Sequence, residues 1–304
     1  MCDSNVPAPY RPALEADAAG GPSKKGYPPA PEPLPVPVMD NHTHLDFGTP
    51  QEGRGHFTVA VREAMDAAAA VGVQGAVQVG CDLESSRFTV KAVDQDPRLL
   101  GAVAIHPNDA PEYAARGELE SALTEIEDLA RHPRIRAIGE TGLDFFRTTG
   151  EALADQRYSF RRHIDIAKRL GLTLQIHDRD AHDDVVQVLK EEGAPERVVF
   201  HCFSGDEALA RTCNEEGWFM SFAGTLTFRN AANLRAAVGI ADPGLLLVET
   251  DAPFLTPHPF RGRPNASYLV PYTVRAMAEL TGIELSTLCA GISENTVRAY
   301  GSWD

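Results

Sequence analysis

Eight short apolar runs, set apart by longer segments of helical period, constrain this sequence more than any other feature. The runs are Val36–Asp40, Val73–Val79, Leu99–Ile105, Ile135–Gly139, Thr173–Ile176, Val198–Phe200, Trp218–Phe222 and Leu245–Glu249. Near-continuous Val, Ile, Leu and Ala, without polar alternation, suits strands covered on both faces, as in a parallel sheet. Helices are expected between them at Phe57–Val71, Glu118–Ala130, Asp155–Leu170, Asp180–Glu192 and Asp206–Glu216, with a last one over about Ser293–Tyr300. Three of these run into a glycine (Gly171, Gly193, Gly217), the usual C-terminal stop. Eight strand-plus-helix units over residues 38–304 match the arithmetic of an α/β fold, a (β/α)8 TIM barrel, which takes about 250 residues. A doubly wound open sheet is the competing architecture. It usually has a glycine-rich turn after its first strand, where this chain has Asn41-His42-Thr43-His44.

Composition divides the chain in two. Ten of its 22 prolines lie in residues 1–37, a segment poor in large apolar side chains. Such a stretch buries too little surface to offset its ordering entropy, so residues 1–37 are expected to be a flexible tail and 38–304 a single barrel domain. No run approaches the 18 or so apolar residues of a bilayer span, and the start lacks the basic and apolar regions of a signal peptide. The five cysteines include no C-x-x-C pair and suit reduced thiols, so the expected location is cytoplasmic. A net charge of −15 argues against coating nucleic acid with a basic face, though not against gripping a few phosphates locally.

In such a barrel the active site lies at the carboxyl ends of the strands. There the sequence sets His42 and His44 after strand one, His106 after strand three, and Glu140 and Asp144 after strand four. His177 follows strand five, His201 strand six and Asp251 strand eight. His42 and His44 are two apart on extended chain and share a face. Alone, the pair is weak evidence for a metal and reads more readily as two hydrogen-bonded loop histidines. Joined by His177, His201, Glu140 and Asp251 around one axis, it reads as a divalent-metal site. Six candidate ligands exceed the three protein ligands of a single catalytic zinc and suggest two ions. None of the five lysines falls at a strand end, so Glu140, not a carbamylated lysine, is the expected bridge. Asp251 is a candidate to ligate and to orient or deprotonate water, His106 to contact substrate, and Asp144 to hold an imidazole in one tautomer. Loop anchoring or helix capping is the plainer role open to each.

The chain has no G-x-x-x-x-G-K-[ST] phosphate loop, no G-x-S-x-G elbow and no H-E-x-x-H pair. The loops after the strands carry Arg147, Arg179, Arg229, Arg261 and Arg263, and seven of the 13 phenylalanines: Phe47, Phe145, Phe146, Phe203, Phe228, Phe254 and Phe260. Guanidinium groups clamp phosphate, and rings either stack on bases or seal the core. A local cationic rim on an acidic body points to a phosphoesterase acting on a nucleic acid terminus.

Several segments together resemble the TatD family of metal-dependent deoxyribonucleases. They are Asp40-Asn41-His42-Thr43-His44-Leu45-Asp46, Ala104-Ile105-His106-Pro107, Ile138-Gly139-Glu140-Thr141-Gly142-Leu143-Asp144, Phe200-His201-Cys202-Phe203-Ser204-Gly205 and Glu249-Thr250-Asp251-Ala252-Pro253-Phe254. The resemblance covers residues from about 38 to 300. It implies an amidohydrolase-like barrel holding two divalent ions (Mg, Mn or Zn) on His42, His44, Glu140, His177, His201 and Asp251. It further implies cleavage of DNA phosphodiester bonds. The expected nucleophile is a hydroxide generated at the ions, and the rim of arginines and rings makes single-stranded ends the expected partner, with no membrane or organic cofactor. Relatives often have two tyrosines where this chain has Phe145-Phe146. The alternative function is a small-molecule amidohydrolase, opening lactones or amides on the same two-metal barrel.

Overall fold

In a computed structural model, which describes residues 5–11, 26–51 and 55–303, the eight expected strands form one sheet. They are β1 (Val38–Thr43), β2 (Val73–Gly80), β3 (Leu99–Val103), β4 (Ile135–Asp144), β5 (Thr173–Arg179), β6 (Val198–Phe200), β7 (Phe219–Phe222) and β8 (Leu246–Val248). They lie in sequence order, every neighbouring pair parallel. No regular ladder joins β8 back to β1. A single bridge between Thr43 and Ala252 closes the ring, with the Asp251 N–H donating to His42 O (2.9 Å) and the His44 N–H to Ala252 O (2.8 Å). Side chains finish the seam. Buried Asp40 accepts from the Thr250 N–H (2.8 Å) and hydroxyl (2.6 Å), and Asn41 Nδ2 donates to Val248 O (2.8 Å). Burial outweighs these donors and pushes Asp40 up to about 7. The result is the expected TIM barrel.

Helices alternate with the strands among the described residues: α1 (Val61–Ala69), α2 (Leu83–Gln95), α3 (Ala110–Ala115), α4 (Leu119–Ala130) and α5 (Ala152–Leu170). They continue as α6 (His182–Glu192), α7 (Glu207–Glu216), α8 (Ala232–Ile240), α9 (Val270–Thr281) and α10 (Leu285–Tyr300). All six expected helices form, the first starting later because Gly55–Phe57 pairs antiparallel with Thr49–Gln51. Four further helices, α2, α3, α8 and α9, lie outside those expected. Helix α2 buries Ser85, Ser86 and Thr89 beside Ala92 and Val93, so its inner face reads as polar, and its start is set by a capping box between Asp82 and Ser85. No helix of the described residues is long and apolar enough to cross a membrane.

The expected flexible tail is corrected for the parts of residues 1–37 that are described. Val6, Tyr10, Tyr27 and Leu34 are buried against the barrel. The Tyr10 ring lies 4.6 Å from Tyr27 and 5.1 Å from Tyr268, and the Tyr268 hydroxyl donates to Pro28 O at 2.6 Å. Arg263, Arg275 and Ser293 donate to the carbonyls of Tyr27, Pro33 and Pro37. A proline-rich segment has few N–H groups to satisfy, and here barrel side chains bind its carbonyls while sparse aromatic anchors supply the burial.

Helix α5 ties two strand ends together through one buried imidazole. His163 Nδ1 donates to Ser159 O (2.8 Å) and lies 3.0 Å from Thr141 Oγ1, while Nε2 accepts the Ile105 N–H (3.2 Å). Thr141 follows Glu140 and Ile105 precedes His106. Burial pushes His163 down to about 4.

Two measurements check these contacts. Tyr268→Phe leaves the buried Pro28 carbonyl without its donor and should lower unfolding free energy in urea by about 1–3 kcal/mol. His163 is neutral in the native state and protonates more readily when unfolded. Its stabilising contribution should therefore be full above about pH 6.5 and fall as pH drops toward about 4, by about 3 kcal/mol at the limit. In His163→Gln the slope of stability against pH should flatten across that window, whatever the variant's absolute stability.

Candidate metal centre

Polar side chains from six strand ends meet at one place, with Glu140 at the focus. Its Oε1 lies 2.6 Å from His177 Nδ1, 2.8 Å from His201 Nε2 and 3.4 Å from His106 Nε2. Its Oε2 lies 3.6 Å from His42 Nε2 and 4.0 Å from His44 Nε2. One carboxylate thus faces two imidazole sets, one through each oxygen. Asp251 Oδ1 joins the His42–His44 set at 3.7 and 3.4 Å.

Backbone detail brings these groups together. Strand β4 runs on to Asp144, beyond the expected end at Gly139, with its glycines passing close to β5. A Cβ on Gly139 would come within 2.5 Å of Gln175 Cβ, and one on Gly142 within 2.0 Å of the His177 carbonyl oxygen. Past β8 the chain turns at Asp251 with φ of 56°, a conformation aspartate tolerates better than most residues.

Second partners fix the ring tautomers. His44 Nδ1 is 3.0 Å from the Val79 carbonyl, which can only accept, so a neutral His44 presents a bare Nε2. His201 Nδ1 donates to Glu249 Oε1 (3.1 Å), an oxygen that also accepts the Cys202 N–H (2.7 Å), and so its Nε2 lone pair points at Glu140. His106 is the reverse. Its Nδ1 accepts the Asn108 N–H (3.1 Å), leaving Nε2–H as a donor toward Glu140.

His44 and His201 thus turn bare Nε2 atoms inward, the first 3.1 Å from His42 Nε2 and the second 2.8 Å from Glu140 Oε1. Such contacts require a proton or a cation between them, so the donor set fits divalent ions. The titration behaviour agrees. Burial would push Glu140 up, but His201 and His106 outweigh it and hold Glu140 well below the usual carboxylate range. Burial opposes charge on His201, yet Glu140 and Glu249 push it well above an ordinary imidazole. His42 is driven well below its usual value by burial and then by His201 and His44. His42, His44 and Glu140 form one group able to hold an ion, and His106, Glu140 and His177 another.

Around this core, Asp144 Oδ2 lies 3.2 Å from His177 Nε2 and accepts from Asn108 Nδ2 (2.9 Å), an arrangement that orients the ring. Sequence reasoning missed Glu249, which sits two residues before Asp251, the same spacing that flagged His42 and His44. It also missed Cys81, whose Sγ lies 3.6 Å from Glu140 Oε2.

The centre opens into a cavity of about 600 Å³ lined in part by Arg147, Arg179, Phe47 and Phe254. Arg229 is exposed and does not line it. Arg263 is also absent from the lining, being engaged with Gly26 and Tyr27, and Arg261 lies over the Phe228 ring (4.3 Å). Phe203 is core, so the ring of rim aromatics is smaller than the sequence suggests.

Known proteins place this geometry. The family described as "TatD related DNase" matches residues 39–301. An uncharacterized metal-dependent hydrolase TatD from Mycobacterium tuberculosis is 47% identical over 268 residues, 87% of this chain and 98% of its own length. The metal-dependent hydrolase YabD from Bacillus subtilis is 34% identical, covering 86% and 98%. Among solved structures, the TatD homologue YJJV from Escherichia coli superposes with a TM-score of 0.77 at 24% identity, over 87% of this chain and 98% of that one. The chain belongs to the TatD-related DNase family of metal-dependent hydrolases.

Proposed function

We propose that this hydrolase cleaves phosphodiester bonds in DNA, acting on single-stranded ends, and that His42, His44, Glu140, His177, His201 and Asp251 hold two divalent ions. The observation that carries the reading is the Glu140 carboxylate, faced by one histidine set at each oxygen inside a cavity whose lining includes Arg147 and Arg179. Divalent ions bound there supply Lewis acidity, lowering the pKa of water and neutralising phosphate charge. The protein does the rest. Asp251 Oδ1 orients water and takes its proton as the oxygen adds to phosphorus. The bond to the departing sugar oxygen breaks, His106 Nε2–H donates a hydrogen bond to that oxygen, and the oxygen takes its proton from solvent water. Arg147 and Arg179 bind the nonbridging phosphate oxygens, and Asp144 holds His177 in register. The net charge of −15 suits a local grip on a strand end better than the coating of long duplexes.

Activity should vanish on chelation. In Asp251→Asn, cleavage of end-labelled single-stranded DNA should fall by about a hundredfold or more, while the strand still binds. Unchanged turnover in that variant would remove Asp251 from the chemistry. In the slow Asp251→Asn background, Arg147→Ala should lower the slope of log binding constant against log salt by about 0.7, read by fluorescence anisotropy. A flat slope, together with cleavage of lactones or amides, would establish the small-molecule alternative instead.

A further inference from the structure

Among the described residues, six large apolar side chains stand exposed, and three of them are phenylalanines in loops at the barrel mouth: Phe47 (44%), Phe146 (62%) and Phe254 (49%). The loop after β6, at the same end, buries Phe203, so exposure is not forced on this end of the barrel. The three fall into two groups. Phe47 and Phe254 meet edge to face at 5.8 Å, and each also approaches the His44 ring, at 5.2 and 6.3 Å. Phe146 lies apart, with the Arg179 guanidinium 3.8 Å above its ring.

Topology sets these groups on opposite sides of the centre. Phe47 follows β1 and Phe254 follows β8, the two strands that close the barrel. Phe146 follows β4, and Arg179 ends β5. With eight strands in sequence order, the β8–β1 seam and the β4–β5 pair are half a turn apart, and Glu140 lies between them.

We infer that the Phe47–Phe254 pair and the Phe146–Arg179 stack are two nucleobase platforms, one on each side of the scissile phosphate. The substrate is then a strand with at least one unpaired base on both sides of the bond that breaks. This rests on the phosphodiesterase reading and narrows it. Aromatic and guanidinium faces stack on any base, without sequence preference. Bases in a duplex are paired and stacked on one another and cannot reach two platforms facing a common phosphate. A mononucleotide or a small ester occupies one platform at most.

The test is a coupling experiment between protein and substrate. Short DNA strands carry a single abasic residue immediately before or immediately after the scissile bond, and kcat/KM is compared with the intact strand. Wild-type protein should lose about tenfold for either abasic position. In the Phe47→Ala/Phe254→Ala variant one of the two penalties should disappear, and in Phe146→Ala the other should. The replaced side chains are exposed, and circular dichroism verifies that each variant is folded.

A wild type indifferent to abasic residues overturns the inference. So do variants that keep both penalties, or variants that both erase the same one. A wild type that cleaves no strand, intact or abasic, overturns the phosphodiesterase reading, and this inference with it. Cleavage with unmoved penalties overturns the platforms alone.

Discussion

A carboxylate buried among imidazoles sets the terms for the whole mouth of this barrel. Glu140 accepts the company of His177 and His201 at one oxygen and of His42 and His44 at the other, all at or within 4.0 Å. Burial alone would neutralise it, and the surrounding rings prevent that. Every other feature of the site serves this focus. Val79 and Glu249 fix which ring nitrogen faces inward, Asp144 steadies His177, and two glycines let β4 approach β5 closely enough to bring His177 alongside.

The site also depends on how the barrel closes. Between β8 and β1 the ladder gives way to individual hydrogen bonds, two of them made by the backbone of His42, His44 and Asp251 themselves. Asp40 and Thr250 reinforce the same corner from within. Closure and the candidate metal centre therefore share the same few residues. This gives a physical reason for the His42-x-His44 and Thr250-Asp251 segments to occur together in one chain.

Much of this was legible in the sequence. The eight apolar runs gave the strands, and strand-end histidines and carboxylates converge as their positions imply. The arginines were read less well, because a loop position does not say which way a long side chain leans. Arg147 and Arg179 line the cavity, Arg263 turns to the N-terminal segment, and Arg229 lies outside. Helix α2 was invisible because its inner face is serine and threonine, and Glu249 because its partner is fixed by tertiary packing. The described parts of residues 1–37 defeated a composition argument, since four well-placed apolar side chains and borrowed hydrogen bonds anchor a stretch that looks too poor to order.

That anchoring reaches further than its own residues. Arg263 and Tyr268, which grip the carbonyls of residues 27 and 28, lie shortly after Asp251 and Phe254 on the same excursion from β8. The segment lies outside the stretch that aligns with the family, yet it braces the loop carrying one of the site's carboxylates. Two chains with the same catalytic motifs but different leading segments could thus share a chemistry and still differ in how stiffly they present it, with the family core supplying the reagent groups and an unshared appendage setting their tension.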